Sequence, residues 1–270
     1  MHEFVSFNYI PVAANDVSIS ALSAAALYGK GIFTTIAIYD GGPFLWDKHW
    51  RRLETGAAKL NIDLAGFSEY KTRKALNEIT KKNCVSDGRA RVTIFDGSAS
   101  KFWPFKPQQR ASLLMVTGDS HLVTDDFRLT VSPHSVNSQS PLAGVKSCNY
   151  LEKLIAFDEV KARGFDEAIQ INERGQITSA VMANVLWLKG DELYTPSLKT
   201  GCLAGTTREY VLENLECREV EVSIEELDSV DAIFLTSAGI GIIAVFELDG
   251  KRLARTSHPI MALVSRPGES

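Results

Sequence analysis

Between residues 144 and 208 the chain places two helix starts around a run of short strands, and that order limits the folds open to it more than any other feature. A helix is expected over 150–163, with Leu151, Leu154, Ile155 and Ala162 as apolar positions and Gly164 as its stop. Short β-rich runs follow over 168–172, 176–178, 185–188 and 192–194. The turns between them are Glu173, Arg174, Gly175 and Lys189, Gly190, Asp191. A second helix is expected over 207–215, behind a Gly-Thr-Thr turn at Gly205, Thr206 and Thr207. Helices and short strands mixed in this way indicate an α/β chain of the α+β type.

The first half carries the same mixture. Strand is expected over 4–12, an Ala-rich helix over 18–28, and strand over 32–39. Asp40, Gly41, Gly42 and Pro43 signal a hairpin turn, with a return strand over 44–46. Trp50, Leu53, Ala57 and Leu60 fit one face of a helix over 48–60, and another helix covers 68–82. Strands are expected over 89–95 and 112–117, a later strand over 232–236, and a hairpin turn over 248–251. The stretch 118–126 is polar and poorly patterned, which suits a linker. Two domains follow: a smaller N-terminal one over 1–117 and a larger one over 127–270.

Composition excludes several classes of function. With 45% hydrophobic and 23% charged residues in 270, the chain has material for a large core. A net charge of −4 gives no electrostatic reason to expect nucleic acid or an anionic membrane. No apolar run approaches the roughly 20 residues that span a bilayer, and the start lacks the basic and apolar regions of a signal peptide. Cys84, Cys148, Cys202 and Cys217 are widely spaced, which argues against a metal centre or disulfide scaffold. A reducing cytoplasm is the expected setting.

The chemistry is suggested by two places. Lys146 stands just ahead of the helix over 150–163, and a helix N-terminus disfavours a cation and lowers its pKa. A lysine that loses its proton forms a Schiff base. The turn at Thr206 and Thr207 opens a helix whose first N–H groups can hold a phosphate. Together these are the needs of a pyridoxal 5′-phosphate (PLP) enzyme. The stretch Gly239, Ile240, Gly241 lacks the third glycine and following acid of a dinucleotide site. His49 and His134 have no paired nucleophile and are assigned to structure.

From about residue 28 to about 250 the chain resembles the class IV aminotransferase family, of PLP fold type IV. That family contains branched-chain and D-amino acid aminotransferases and 4-amino-4-deoxychorismate lyase. The resemblance makes Lys146, in Lys-Ser-Cys-Asn, the Schiff-base lysine, with Asn149 as in the D-amino acid and lyase branches. It makes Arg52 the phosphate-binding arginine, suited to a bidentate grip. Thr206, Thr207, Ser237 and Ala238 match the two phosphate-side loops, Thr236 heading the second. Tyr150 matches a tyrosine that in the branched-chain branch sits near the cofactor's phenolic oxygen, and Asn184 matches the family's strand of Asn, Leu or Val, and Phe or Trp. Tyr28, Phe33 and Thr35 match the segment lining the substrate pocket, and Phe33, Thr34, Thr35 read most like the lyase branch. Lys101 falls near where the D-amino acid and lyase branches tend to have an arginine that meets a substrate carboxylate; lysine supplies the charge without the fork.

One departure bears on the reaction. The family has a glutamate that keeps the pyridine nitrogen protonated. Here the pattern is Ile177, Thr178, Ser179, with serine in the glutamate position. A hydroxyl cannot stabilise a pyridinium as a carboxylate does, which weakens the electron sink. The resemblance implies a homodimer acting on a small amino or oxo acid. Amino-group transfer is the expected activity. The alternatives are 4-amino-4-deoxychorismate lyase, which releases pyruvate and 4-aminobenzoate, and a PLP-binding relative without turnover.

Overall fold

The computed structural model describes residues 1–97, 111–121, 123–254 and 257–264. It is a mixed α/β chain that divides into two units. Unit 1 comprises Met1–His121 with Val145–Tyr150, and unit 2 comprises Leu122–Gly144 with Leu151–Ser270. Among the described residues no helix is long and apolar enough to cross a membrane.

Unit 1 is an antiparallel sheet covered by helices. Its strands are β1 (Phe4–Phe7), β2 (Ile10–Ala13), β3 (Gly31–Tyr39), β4 (Gly42–Pro43), β5 (Gly88–Asp96) and β6 (Ala111–Gly118), in the order β2-β1-β6-β5-β3-β4. The stretch 4–12 is a hairpin rather than one strand, because Asn8 and Tyr9 take φ of 50° and 71° and fold Phe7 onto Ile10. The Ala-rich helix shrinks to α1 (Ala24–Tyr28). Ser23 caps it by accepting from the Ala26 N–H, and Gly29 ends it at φ 63°. The return strand is Gly42–Pro43 and not 44–46, since Leu45 turns at φ 52° and Trp46 already begins α2 (Trp46–Lys59). Its inward face is Trp46, His49, Trp50, Leu53, Gly56 and Ala57. Leu53 packs with Ile32, Ile36 and Ile38 of β3; burying a leucine this fully contributes roughly 1.5–3 kcal/mol. The other helix, α3 (Glu69–Lys82), starts at Ser68, whose hydroxyl accepts from the Lys71 N–H.

The segment Val145–Tyr150 lies in the range read as the second domain but packs with unit 1. Ser147 bridges antiparallel to Ile32. The Phe33 N–H donates to the Lys146 carbonyl at 2.9 Å, and the Cys148 N–H to the Gly31 carbonyl at 2.8 Å. Lys146 is thus held in extended chain against the start of β3, ahead of the next helix rather than on it.

Unit 2 has two five-stranded sheets. One contains β7 (Arg128–Val131), β8 (Glu167–Ile171), β9 (Ile177–Ala180), β15 (Glu247–Leu248) and β16 (Lys251–Arg252), in the order β16-β15-β7-β8-β9. The other contains β10 (Asn184–Lys189), β11 (Glu192–Pro196), β12 (Cys217–Val220), β13 (Ala232–Ser237) and β14 (Gly241–Ala244), in the order β12-β11-β10-β13-β14. Trp187, Val185, Ile233 and Leu235 of β10 and β13 share its main core. Helix α5 (Thr206–Asn214) packs on β13.

Helix α4 (Leu151–Ala162) is turned from its expected orientation. Ala156 and Val160 are its buried residues and pack with Ala168 and Val181. Leu151, Leu154 and Ile155 are exposed at 63%, 48% and 50%. Small side chains let this helix lie close to the sheet, and Lys153, three residues before Ala156, turns inward with them.

Candidate functional site

In unit 1 the candidate residues cluster around Lys146. Its Nζ lies 4.7 Å from the centre of the Phe33 ring and 5.2 Å from that of Tyr150. It donates to the Tyr150 hydroxyl at 3.4 Å. The two rings meet edge to face at 5.2 Å. Two aromatic walls and a phenol around one amine give a site that is partly apolar yet holds the nitrogen in place.

Strand alternation places the neighbours. Phe33 and Thr35 project from the same side of β3 and pair in register with Thr93 and Arg91 of β5. The Arg91 guanidinium stacks on Phe33 at 3.6 Å from the ring centre, and its Nε donates to Thr93 Oγ1 at 3.2 Å. Sequence reading missed Arg91; its only signal is its alternate position on a strand opposite Thr35. Thr34 projects the other way, toward α2. Arg52 donates to the Thr34 hydroxyl, and Thr34 Oγ1 lies 2.6 Å from His49 Nδ1. Arginine only donates, so Thr34 accepts from it and gives its own proton to Nδ1. His49 is therefore neutral at Nδ1. Burial, then the charges of Arg52 and Lys146, holds its pKa well below the usual histidine value.

Close approaches fix this cluster. A Cβ on Gly31 would meet Phe95 Cβ at 2.8 Å and Cys148 Sγ at 2.9 Å. Burial raises the Cys148 thiol pKa, against the opposing effect of Arg91. Asn149 packs on Gly29, where a Cβ would meet its Cα at 3.1 Å. Tyr28 closes α1 and is 49% exposed. Lys101 lies outside the described residues.

In unit 2 the candidates gather at the start of α5. Thr206 and Thr207 are its first residues and are buried, while the N-cap is Gly205, which offers no side-chain cap. A Cβ on Gly205 would fall 1.9 Å from Asn184 Oδ1, so a larger residue there displaces the Asn184 amide. Asn184 donates through Nδ2 to the Leu203 carbonyl at 2.9 Å. Asn184 is also the direct register partner of Thr236, so the end of β13 stands beside it. Thr236 Oγ1 is buried with no hydrogen-bond partner among the described residues. Ser237 accepts the Gly239 N–H at 3.3 Å in the turn that holds Ala238. A helix start without a side-chain cap and an unsatisfied buried hydroxyl suit an anion with several oxygens. Arg208 is not part of this set: its guanidinium donates to the Pro196 carbonyl at 2.8 Å and pairs with Glu219.

Ser179 lies in β9, opposite Gln170 of β8 and 6% exposed. Lys153 donates to Gln170 Oε1. Glu167 of β8 is buried near Lys153. Its carboxylate accepts the N–H groups of Ala168, Val181 and Met182, and burial still raises its pKa to about 7. Each unit by itself holds groups of a kind that fits PLP: in unit 1 an amine flanked by rings and an arginine backed by Thr34, in unit 2 a helix start open to an anion.

The family model of amino-transferase class IV matches residues 31–248. Aminodeoxychorismate lyase from Bacillus subtilis (strain 168) is 29% identical over 243 residues, covering 87% of this chain and 83% of the relative. A putative branched-chain-amino-acid aminotransferase from Methanocaldococcus jannaschii is 27% identical over 248 residues, covering 89% and 86%. The crystal structure of the branched-chain aminotransferase from Thermoproteus uzoniensis with norvaline superposes with a TM-score of 0.90 at 24% identity, covering 97% of this chain and 92% of that one.

Proposed function

The chain belongs to the class IV aminotransferase family, whose members depend on PLP, and from that premise we propose that it is an aminodeoxychorismate-type lyase. The single observation that carries elimination over amino transfer is Ser179, a buried hydroxyl opposite Gln170 in the β8/β9 register, in the position where the family resemblance expects a glutamate. When bound, PLP supplies a ring that withdraws electrons from the carbon next to the substrate's amine. Transfer leans heavily on that ring being protonated, which a carboxylate favours and a hydroxyl does not. Elimination that leaves an aromatic product places part of the charge in the substrate itself. The 29% identity to the Bacillus subtilis lyase supports the same reading.

Each residue then has a task. Lys146 would hold PLP and carry the proton to and from the substrate carbon at Nζ. Tyr150, accepting from Nζ, orients that amine. Phe33 and Tyr150 keep water from it. Arg91, on the exposed side of Phe33, offers a guanidinium to a substrate carboxylate. Arg52 would hold the phosphate, as would the N–H groups of Thr206 and Thr207 with Thr236 and Ser237. Thr35 lines the substrate side with Arg91. Leu151, Leu154 and Ile155, exposed on α4, supply an apolar surface for a second copy of the chain. Four free cysteines support a reducing, cytoplasmic setting.

The test gives purified protein PLP, then aminodeoxychorismate. Pyruvate and aminobenzoate should form, and amino donors with an oxo acid should yield little transfer. Efficient transfer without aminobenzoate would overturn elimination in favour of the aminotransferase reading. Lys146→Ala should lose the visible band that borohydride removes from the native protein; a variant keeping that band would refute the assignment of Lys146. Leu154→Asp should lower the mass seen by light scattering from dimer to monomer, and an unchanged mass would exclude this face as the contact.

A further inference from the structure

Strand β5 presents two arginines on one side of the unit 1 sheet. Arg89 and Arg91 are two residues apart, so both project to the side that carries Phe33 and Thr35 of β3. The other side is apolar: Ala90, Val92 and Ile94 share a core with Leu53 of α2 and Leu76 of α3. Both arginines are exposed, and neither has a carboxylate partner among the described residues. Their surroundings differ. Arg91 is held in place: its guanidinium lies on the Phe33 ring, its Nε donates to Thr93 Oγ1, and it bonds the Cys148 thiol. Arg89 stands opposite Ala37 of β3 and Gly118 of β6, whose side chains offer it no polar atom. The order along this side is Lys146 at the Phe33 ring, Arg91 over the same ring, then Arg89 one step further along β5. Positions two apart on a strand are about 6.7 Å from each other. Two guanidinium groups at that spacing repel, and an anion with two acids satisfies both at once.

The lyase reading makes the substrate such an anion. Its two products, pyruvate and 4-aminobenzoate, carry one carboxylate each, so the molecule that is cleaved carries two. The acid that leaves in pyruvate is attached beside the carbon bearing the amine, where the bond breaks. The other acid lies across the ring from the amine. We infer that Arg89 is a specificity-determining residue that binds the ring acid, while Arg91, nearer Lys146, binds the acid that departs with pyruvate. This rests on the lyase reading above. The pinned arginine fixes the acid next to the breaking bond, and the unpinned one reaches for the distant acid. A substrate with a single acid fills one arginine and forgoes the other, so the pair selects a rigid dicarboxylate.

The test is calorimetry of the PLP-loaded protein with isophthalate, a benzene ring bearing two acids, and with benzoate, which bears one. The native protein should bind isophthalate about tenfold more tightly or better, the effect of one added charge-assisted hydrogen bond. Arg89→Leu should erase that preference and leave benzoate binding as in the native protein. Arg89→Lys should keep part of it, as a point charge without the fork. Arg91→Leu should weaken both ligands. With aminodeoxychorismate as substrate, the loss in Arg89→Leu should fall on KM rather than kcat, because the acid it holds is remote from the breaking bond. Equal binding of isophthalate and benzoate by the native protein overturns the inference, and so does an Arg89→Leu variant that keeps the preference. The titration needs no turnover, so it decides on Arg89 by itself. A native protein that prefers isophthalate, with the preference lost in Arg89→Leu, yet releases no pyruvate from aminodeoxychorismate overturns the lyase reading and leaves the dicarboxylate site standing.

Discussion

Thr34 is a buried hydroxyl that links Arg52, proposed above to hold the phosphate, to a neutral histidine, accepting from Arg52 and donating to His49. Thr34→Val keeps the shape and removes both bonds. His49 Nδ1 keeps only the longer 3.4 Å contact with Arg52, which should cost about 1 kcal/mol, read as a lower midpoint in denaturant unfolding, and Arg52 should lose its alignment, read as weaker PLP retention. Thr34→Ser should restore both. Native stability and PLP retention in Thr34→Val would show that the hydroxyl does neither job. At this scale the roles proposed for Lys146, Arg52 and Thr206 come from the sequence, because each sits in a short local motif. The link between Thr34 and His49 is not, because it needs both the side of β3 that Thr34 takes and the face of α2 that His49 takes. Arg91 is hidden for the same reason. An arginine on a strand reads as a solvated charge until Phe33 is known to lie beneath it.

At the level of elements, the start of α5 depends on what glycine lacks. Gly205→Ala puts a Cβ 1.9 Å from Asn184 Oδ1, so Asn184 must leave the Leu203 carbonyl or α5 must shift. Either outcome should lower stability by about 1–3 kcal/mol and weaken PLP retention. Adding Asn184→Ala removes the obstructing oxygen, so the double variant should be less destabilised than the sum of the singles. Strict additivity would show that the clash is relieved some other way. The Gly-Thr-Thr sequence makes the helix start legible, though it suggests threonine as cap where glycine is observed. Helix α4 is the reverse case. Its extent is legible, its inward side is not, because Leu151, Leu154 and Ile155 outweigh Ala156 and Val160 in any count of apolar residues. Packing chose the small pair, which fit against Ala168 and Val181.

For the molecule as a whole, the mixed α/β class follows from the order of helices and strands, whereas the return of Val145–Tyr150 to unit 1 does not. That return is made by backbone bonds between Ile32–Phe33 and a segment more than a hundred residues away, which leave no local pattern. The two units should also respond oppositely to acid. In unit 1 His49 is held neutral, so below its ordinary value of 6.5 the unfolded chain binds a proton that the folded unit refuses. Stability present above about pH 6.5 is then lost as the pH falls, by up to about 1.4 kcal/mol per pH unit. In unit 2 Glu167 is raised from 4.5 to about 7, so between these values the folded unit binds the extra proton. Its contribution is present at the acid end and lost as the pH rises through 7. Over the window the two groups oppose each other in a global melt of the native protein. His49→Gln removes the first, and its stability should rise on going from pH 7 to pH 5. Glu167→Gln removes the second, and its stability should fall over the same range. Melts of both variants with the same slope in pH as the native protein would mean that neither group titrates as its surroundings require.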